Sequence, residues 1–168
     1  AITGGTITGT SGTINQGADT DTVSGFEEYQ LTAQGDLLTF DVDALAAATI
    51  DGLGGSDKIT VIDGAGTNLS SGGGLDGVDF AAIFSNVEAF DFSGTDLTGG
   101  DQFVIGEENI KNIVGGGSST LEITLDGINI ALTDVTATAQ IEAITSDVTG
   151  GNIRTVDWAD GTQLILYG

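Results

Sequence analysis

The chain has no cysteine, no histidine, no methionine and no proline, and its only basic residues are Lys58, Lys111 and Arg154. Without cysteine there are no disulfides, so neither a covalent staple nor a redox compartment is implied. Without His or Cys, most of the usual catalytic and transition-metal vocabulary is missing. Three cations cannot build a basic patch, which excludes binding to nucleic acid or to an anionic membrane through one. No run of about 18 apolar residues occurs, so no membrane-spanning helix and no membrane insertion are expected. The opening Ala1-Ile2-Thr3-Gly4-Gly5 lacks the charged and apolar regions of a signal peptide. The chain therefore reads as a mature product, an excised domain or an export substrate without an N-terminal signal. Few oxidisable side chains and few sites for trypsin-like proteases suit a long-lived extracellular bacterial protein.

What the chain does have is acid, glycine and β-branched residues. Of its 168 residues 25 are Asp or Glu, giving a net charge of -22, and 28 are Gly. Many of the Asp residues sit beside Gly, and short carboxylates on glycine turns are a means of holding calcium. A globule of this size exposes roughly 7,500 Å². Spread evenly, the net charges would stand about 19 Å apart, beyond the ~8 Å Debye length of physiological salt. Net charge alone therefore does not demand calcium; clustering of carboxylates would. Apolar residues make up 39 % of the chain, too many for a disordered acidic tail, and the length suits a single domain over 1–168.

Nearly every segment reads as a short strand between Gly, Asp, Asn or Ser turns, many alternating polar and apolar with period two. Strands are expected at 6–8, 28–32, 37–42, 58–62, 87–92, 102–105, 110–114, 121–125, 128–132, 141–144, 154–158 and 163–167. Asp126-Gly127 between two alternating runs predicts a hairpin over 121–132. Two short helices are expected, at 43–48 and 79–84, each opening on an Asp N-cap. Weak echoes recur at irregular spacing: Phe26-Glu27, Val87-Glu88 and Ile141-Glu142 each precede alternating apolar residues. The fold class is all-β. The 121–132 hairpin favours a β-sandwich, and the echoes leave a parallel β-helix or solenoid with rungs of roughly 20–30 residues as the alternative.

The segment Ile50-Asp51-Gly52-Leu53-Gly54-Gly55-Ser56-Asp57-Lys58-Ile59 resembles the calcium nonapeptide of RTX proteins, the repeats-in-toxin family exported by bacterial type I secretion. Gly52, Gly55, Asp57 and Ile59 fit that pattern, while Leu53 stands where it has Gly. Residues 17–27 and 83–94 resemble the family's non-repeat regions and strand phrases of secreted adhesins and S-layer-like proteins, so the likeness covers about 17–105. It implies export and a surface or biofilm-matrix role, with Ca²⁺ held by Asp side chains and backbone carbonyls between stacked turns. Asp51 and Asp57 are the ligands it suggests. Further calcium pairs, two to five residues apart across or beside Gly turns, are Asp19 with Asp21, Asp76 with Asp79, Asp96 with Asp101, and Asp157 with Asp160.

A catalytic reading would have to use paired carboxylates, as in glycoside hydrolysis. Glu27-Glu28 and Glu107-Glu108 are adjacent pairs, which project to opposite strand faces or lie in loops, and Trp158 and two Tyr offer little sugar platform. The expectation is a non-catalytic extracellular protein stabilised by Ca²⁺: a self-assembling subunit of a surface layer, biofilm matrix or filament, associating through terminal strands such as 1–10. The alternative is a monomeric adhesin module that grips surface glycans through calcium.

Overall fold

The computed structural model describes residues 2–8, 11–25, 28–41, 49–62, 80–93, 102–115, 120–124, 129–133, 153–158 and 160–168. The first strands are β1 (Gly4–Thr8), β2 (Ser11–Gln16), β3 (Asp19–Ser24), β4 (Glu28–Gln30), β5 (Leu37–Asp41), β6 (Thr49–Asp51) and β7 (Lys58–Ile62). They are followed by helix α1 (Phe80–Ile83), β8 (Phe84–Ser85), β9 (Ala89–Asp91), β10 (Gln102–Gly106) and helix α2 (Glu107–Val114). The chain ends with β11 (Thr120–Thr124), β12 (Asn129–Thr133), β13 (Ile153–Asp157) and β14 (Gln163–Tyr167). The fold is all-β, with two short helices among the described residues.

The strands form a nine-stranded sheet of order β13-β14-β11-β9-β7-β5-β1-β2-β3, a three-stranded sheet β4-β6-β8 and the pair β10-β12. Successive strands from β4 to β9 alternate between the small sheet and the large one, and like strands of successive turns pair in parallel. Glu28 lies opposite Thr49 and Leu37 opposite Lys58, the same advance along the chain in both sheets. That is the winding of a parallel coil. The preferred β-sandwich is not confirmed: among the described residues antiparallel pairs occur only at the two ends of the large sheet, and the parallel winding is the one expected of the solenoid alternative.

The expected hairpin over 121–132 is also corrected. Strand β11 lies between β9 and β14, parallel to both, while β12 pairs with β10 in a different sheet. An alternating run carries no record of its partner, and parallel neighbours here come from far along the chain. Parallel register stacks like on like. Leu38, Ile59, Phe90, Ile123 and Leu166 lie opposite one another in turn and are all buried. In β7 the alternation is visible directly: Ile59 and Val61 are buried, and Lys58, Thr60 and Ile62 are not. The Phe84 ring bridges the two sheets, edge-on to Phe40 at 5.2 Å and to Phe90 at 5.0 Å.

Residues 110–114, expected as a strand, belong to α2 instead. The wider window explains it: Ile110, Ile113 and Val114 bury one helical face, and Lys111 reaches back one turn to Glu107 at 2.7 Å. The 79–84 expectation holds in part, as Phe80–Ile83 is helical and Phe84 opens β8. The segments 43–48 and 141–144 and the Asp126-Gly127 turn lie outside the described residues.

Both ends of the coil are finished by antiparallel strands. At one end β2 and β3 fold back on β1; at the other β13 folds back on β14. The β2–β3 link is the two-residue turn Gly17-Ala18, with Gly17 at φ 65°, the left-handed region that the first position of such a turn requires. Strand β1, expected as a free terminal strand, is paired on both sides, to β2 and β5.

Candidate functional site: a column of carboxylates

The most distinctive polar feature is a column of acids at the entrance to successive strands of the large sheet. Asp36, Asp57 and Glu88 immediately precede β5, β7 and β9. Each carboxylate reaches to the turn before it. Glu88 Oε2 accepts the Asp57 N–H at 2.8 Å. Asp57 Oδ1 accepts the Asp36 N–H at 2.8 Å. Asp36 accepts the Ile2 N–H through Oδ1 and the Thr32 N–H through Oδ2 at 2.6 Å, and Thr32 Oγ1 donates to it at 2.8 Å. The backbone closes the same links from the other side: Lys58 N–H donates to Asp36 O at 2.9 Å, and Ala89 N–H to Asp57 O at 3.0 Å. The acids thus satisfy backbone donors at the point where the coil turns from one sheet to the next.

Asp36 and Asp57 are fully buried, and their environments differ. Asp36 has protein donors on both oxygens. Asp57 Oδ2 has none among the described residues. Burial, followed by the charges of Glu88, Asp36 and Asp51, pushes the Asp57 carboxyl up to about 6, against the lowering effect of the Asp36 N–H. Burial likewise raises Glu88. Gly52 makes room for this arrangement. A Cβ there would stand 1.9 Å from the Asn86 carbonyl oxygen and 2.6 Å from Asp57 Oδ2.

Of the sequence-derived calcium candidates, Asp51 and Asp57 are brought near each other, but each is engaged by protein. Asp51 Oδ1 accepts Asn86 Nδ2 at 2.7 Å and the Leu53 N–H at 3.0 Å. Those bonds hold a turn in which Leu53 adopts φ 65°, the left-handed region that favours glycine. Asp19 and Asp21 are exposed on β3, two residues apart on one face. Asp157 accepts Gln163 Nε2 at 2.6 Å. Asp160 takes Lys111 Nζ at 2.6 Å and the Thr162 N–H at 2.9 Å. That lysine is the first cause holding the Asp160 carboxyl well below the usual range, and Asp160 in turn raises Lys111. Asp76, Asp79, Asp96 and Asp101 lie outside the described residues. Among the described residues no group of three or more acids is arranged to hold a metal ion.

Sequence reasoning missed Asp36, Glu88 and Asn86. The signal for the acids was present: Asp36-Leu37-Leu38, Asp57-Lys58-Ile59 and Glu88-Ala89-Phe90 each put an acid one residue before a strand of the same sheet. Asn86 is marked by its φ of 53°, a conformation Asn tolerates better than most residues.

The ends of the large sheet are β3 and β13. Among the described residues strand β3 is bonded only to β2, and β13 only to β14. No helix among the described residues is long and apolar enough to cross a membrane. No family model matches the chain, and neither the curated proteins nor the solved structures contain a significant match.

Proposed function

We propose that this is a non-catalytic structural protein of the bacterial exterior, a self-assembling subunit of a surface layer, biofilm matrix or filament stabilised by calcium. The observation that carries the reading is the large sheet, whose end strands β3 and β13 each have one bonded neighbour among the described residues. Free edges template pairing with another chain, and proteins that must stay monomeric blunt or cover them. The column of acids supports a structural role as well, since its described bonds go to the protein's own backbone and to Thr32 Oγ1. Calcium enters because copies carrying a net charge of -22 repel on approach, and a divalent ion shared between exposed carboxylates offsets that repulsion.

Light scattering tests the proposal. In about 5 mM Ca²⁺, roughly saturating for weak extracellular sites, the protein should grow into large particles that EGTA disperses. A monomer under both conditions would refute assembly and favour the glycan-binding adhesin module.

A further inference from the structure

The outer face of the large sheet carries one residue type in a line. Ile7, Phe40 and Val61 are buried in β1, β5 and β7, so Thr6, Thr39 and Thr60 beside them lie on the opposite face. The register extends this rank across the sheet. Thr22 stands opposite Thr13, Thr13 opposite Thr6, Thr6 opposite Thr39, and Thr39 opposite Thr60. Asp91, Thr124 and Tyr167 continue it, and position 153 ends it. Six of the nine positions are Thr in a chain where Thr is 23 of 168 residues, so composition does not account for the rank. None of the six is buried: Thr22 is exposed, and the other five are half-buried, each with a strand on both sides.

The rank is neutral where it is continuous, in a chain of net charge -22. The described side chains on the outer face of β1, β2 and β3 are Thr6, Thr13, Asn15, Thr20, Thr22 and Ser24. The acids of β3, Asp19 and Asp21, are in register with Gln16 and Ile14 on the other face. Charge returns towards the middle of the sheet. Asp41 ends β5 in register with Ile62, and Lys58 pairs with Asp91 at 2.6 Å across β7 and β9. Glu122 and Asp157 follow on the outer face of β11 and β13. The run from Thr22 to Thr60 therefore stops at an ion pair.

A strand spacing of about 4.7–4.9 Å sets the repeat of hydroxyl and methyl groups along the rank. That is within a few tenths of an ångström of the repeat of water oxygens along the a axis of ice. The β-branched side chain is stiff at χ1, so the array loses little freedom when it is matched to a lattice. Neutrality matters for the same ligand, because a charge pressed against ice would lose hydration that the crystal cannot replace. The five-strand patch measures about 20 Å by 17 Å, roughly 350 Å², less than half of the ~800 Å² that a stable protein interface buries on each side. Tyr167 is the one aromatic residue in the rank, three strands beyond Thr60, so the patch lacks the ring platform that a polysaccharide surface takes.

We propose that this face binds ice, with Thr22, Thr13, Thr6, Thr39 and Thr60 set along the a-axis rows of water in the crystal. The proposal is independent of self-assembly and gives the sheet a function on its face. Ice grown slowly as a hemisphere from a dilute solution takes up proteins that bind it and excludes the rest. The unmodified chain should be taken up. Thr13→Tyr and Thr39→Tyr, whose rings project beyond the hydroxyls, should each lose uptake. Ala33→Tyr, in an exposed bend between β4 and β5, should keep it, and circular dichroism reports that every variant is folded. Exclusion of the unmodified chain, or uptake of both folded rank variants, would overturn the proposal. If the parent is excluded from ice and the rank variants instead lose calcium-dependent particles, or lose sedimentation with microcrystalline cellulose, the proposal is overturned and the face belongs to a second copy or to a glycan surface.

Discussion

Replacing Asp57 by Asn should stabilise the protein at neutral pH, while the same replacement one turn away at Asp36 should weaken it. Both residues are fully buried and both accept backbone N–H groups, so the contrast isolates the second oxygen. At Asp57, Oδ2 has no donor among the described residues, and the carboxyl is raised from 3.8 to about 6. At 1.36 kcal/mol per unit, keeping that group ionised in the fold costs about 3 kcal/mol. Asn keeps the Oδ1 acceptor for the Asp36 N–H, and the charge assistance of that bond is already contained in the value of about 6. The net gain at pH 7.5 is therefore about 2–3 kcal/mol. The sign follows from linkage. The folded protein holds a proton that the unfolded chain releases between about pH 4 and 6, so the stability this group contributes is complete below that window and is lost as pH rises through it. The Asn variant should match the parent at pH 4 and exceed it at pH 7.5. At Asp36 an amide would replace an oxygen that accepts an N–H and set donor against donor, a loss of about 2–4 kcal/mol. Urea unfolding at the two pH values reads all of this as midpoint shifts at constant slope. Loss of stability in Asp57→Asn at pH 7.5 would refute the reasoning, because it would mean that the fold needs the negative charge on Oδ2.

Leu53→Gly should raise stability by about 1 kcal/mol, since Leu53 is exposed, at 47 %, and held at φ 65°; by thermal unfolding this is a rise of about 2–4 °C, and a fall would refute the strain. Phe84→Ala should cost about 3–5 kcal/mol, because it empties the ring position that bridges the two sheets; a denaturant midpoint within about 0.5 kcal/mol of the parent would show that the sheets do not depend on it.

The strands of the coil were legible because alternation is local. Leu37–Asp41, Lys58–Ile62 and Gln163–Tyr167 can be read almost to the residue. Which strands pair was not legible, because β5, β7, β9 and β11 meet across intervening segments of different lengths. The 110–114 segment was misread because five residues do not separate a period of 2 from 3.6; including Glu107 and Glu108 would have revealed the helical turn. The Gly17-Ala18 turn was a readable hairpin signal that the likeness to acidic RTX-type segments obscured. Asp57 was visible in the sequence as an acid on a glycine turn, but whether such an acid faces solvent or the backbone of the preceding turn is a matter of burial, which emerges only when the turns stack. Leu53 was legible as a residue on a glycine turn, but that it holds the left-handed conformation glycine adopts more easily emerges only from the backbone.

The winding has a mechanical consequence. Hydrogen bonds of the large sheet lie along its long axis, and the covalent chain crosses that axis turn by turn. Tension applied end to end would therefore load one strand pair at a time and peel the sheet, whereas a pull along the strands would have to shear every bond of a pair together. The Asp36–Asp57–Glu88 bonds lie across two of these gaps, β5–β7 and β7–β9, and rivet them at the strand entrance. Under axial load the molecule should pay out its length in discrete steps, one turn of the coil per rupture, and spread a stretching force over many small yields.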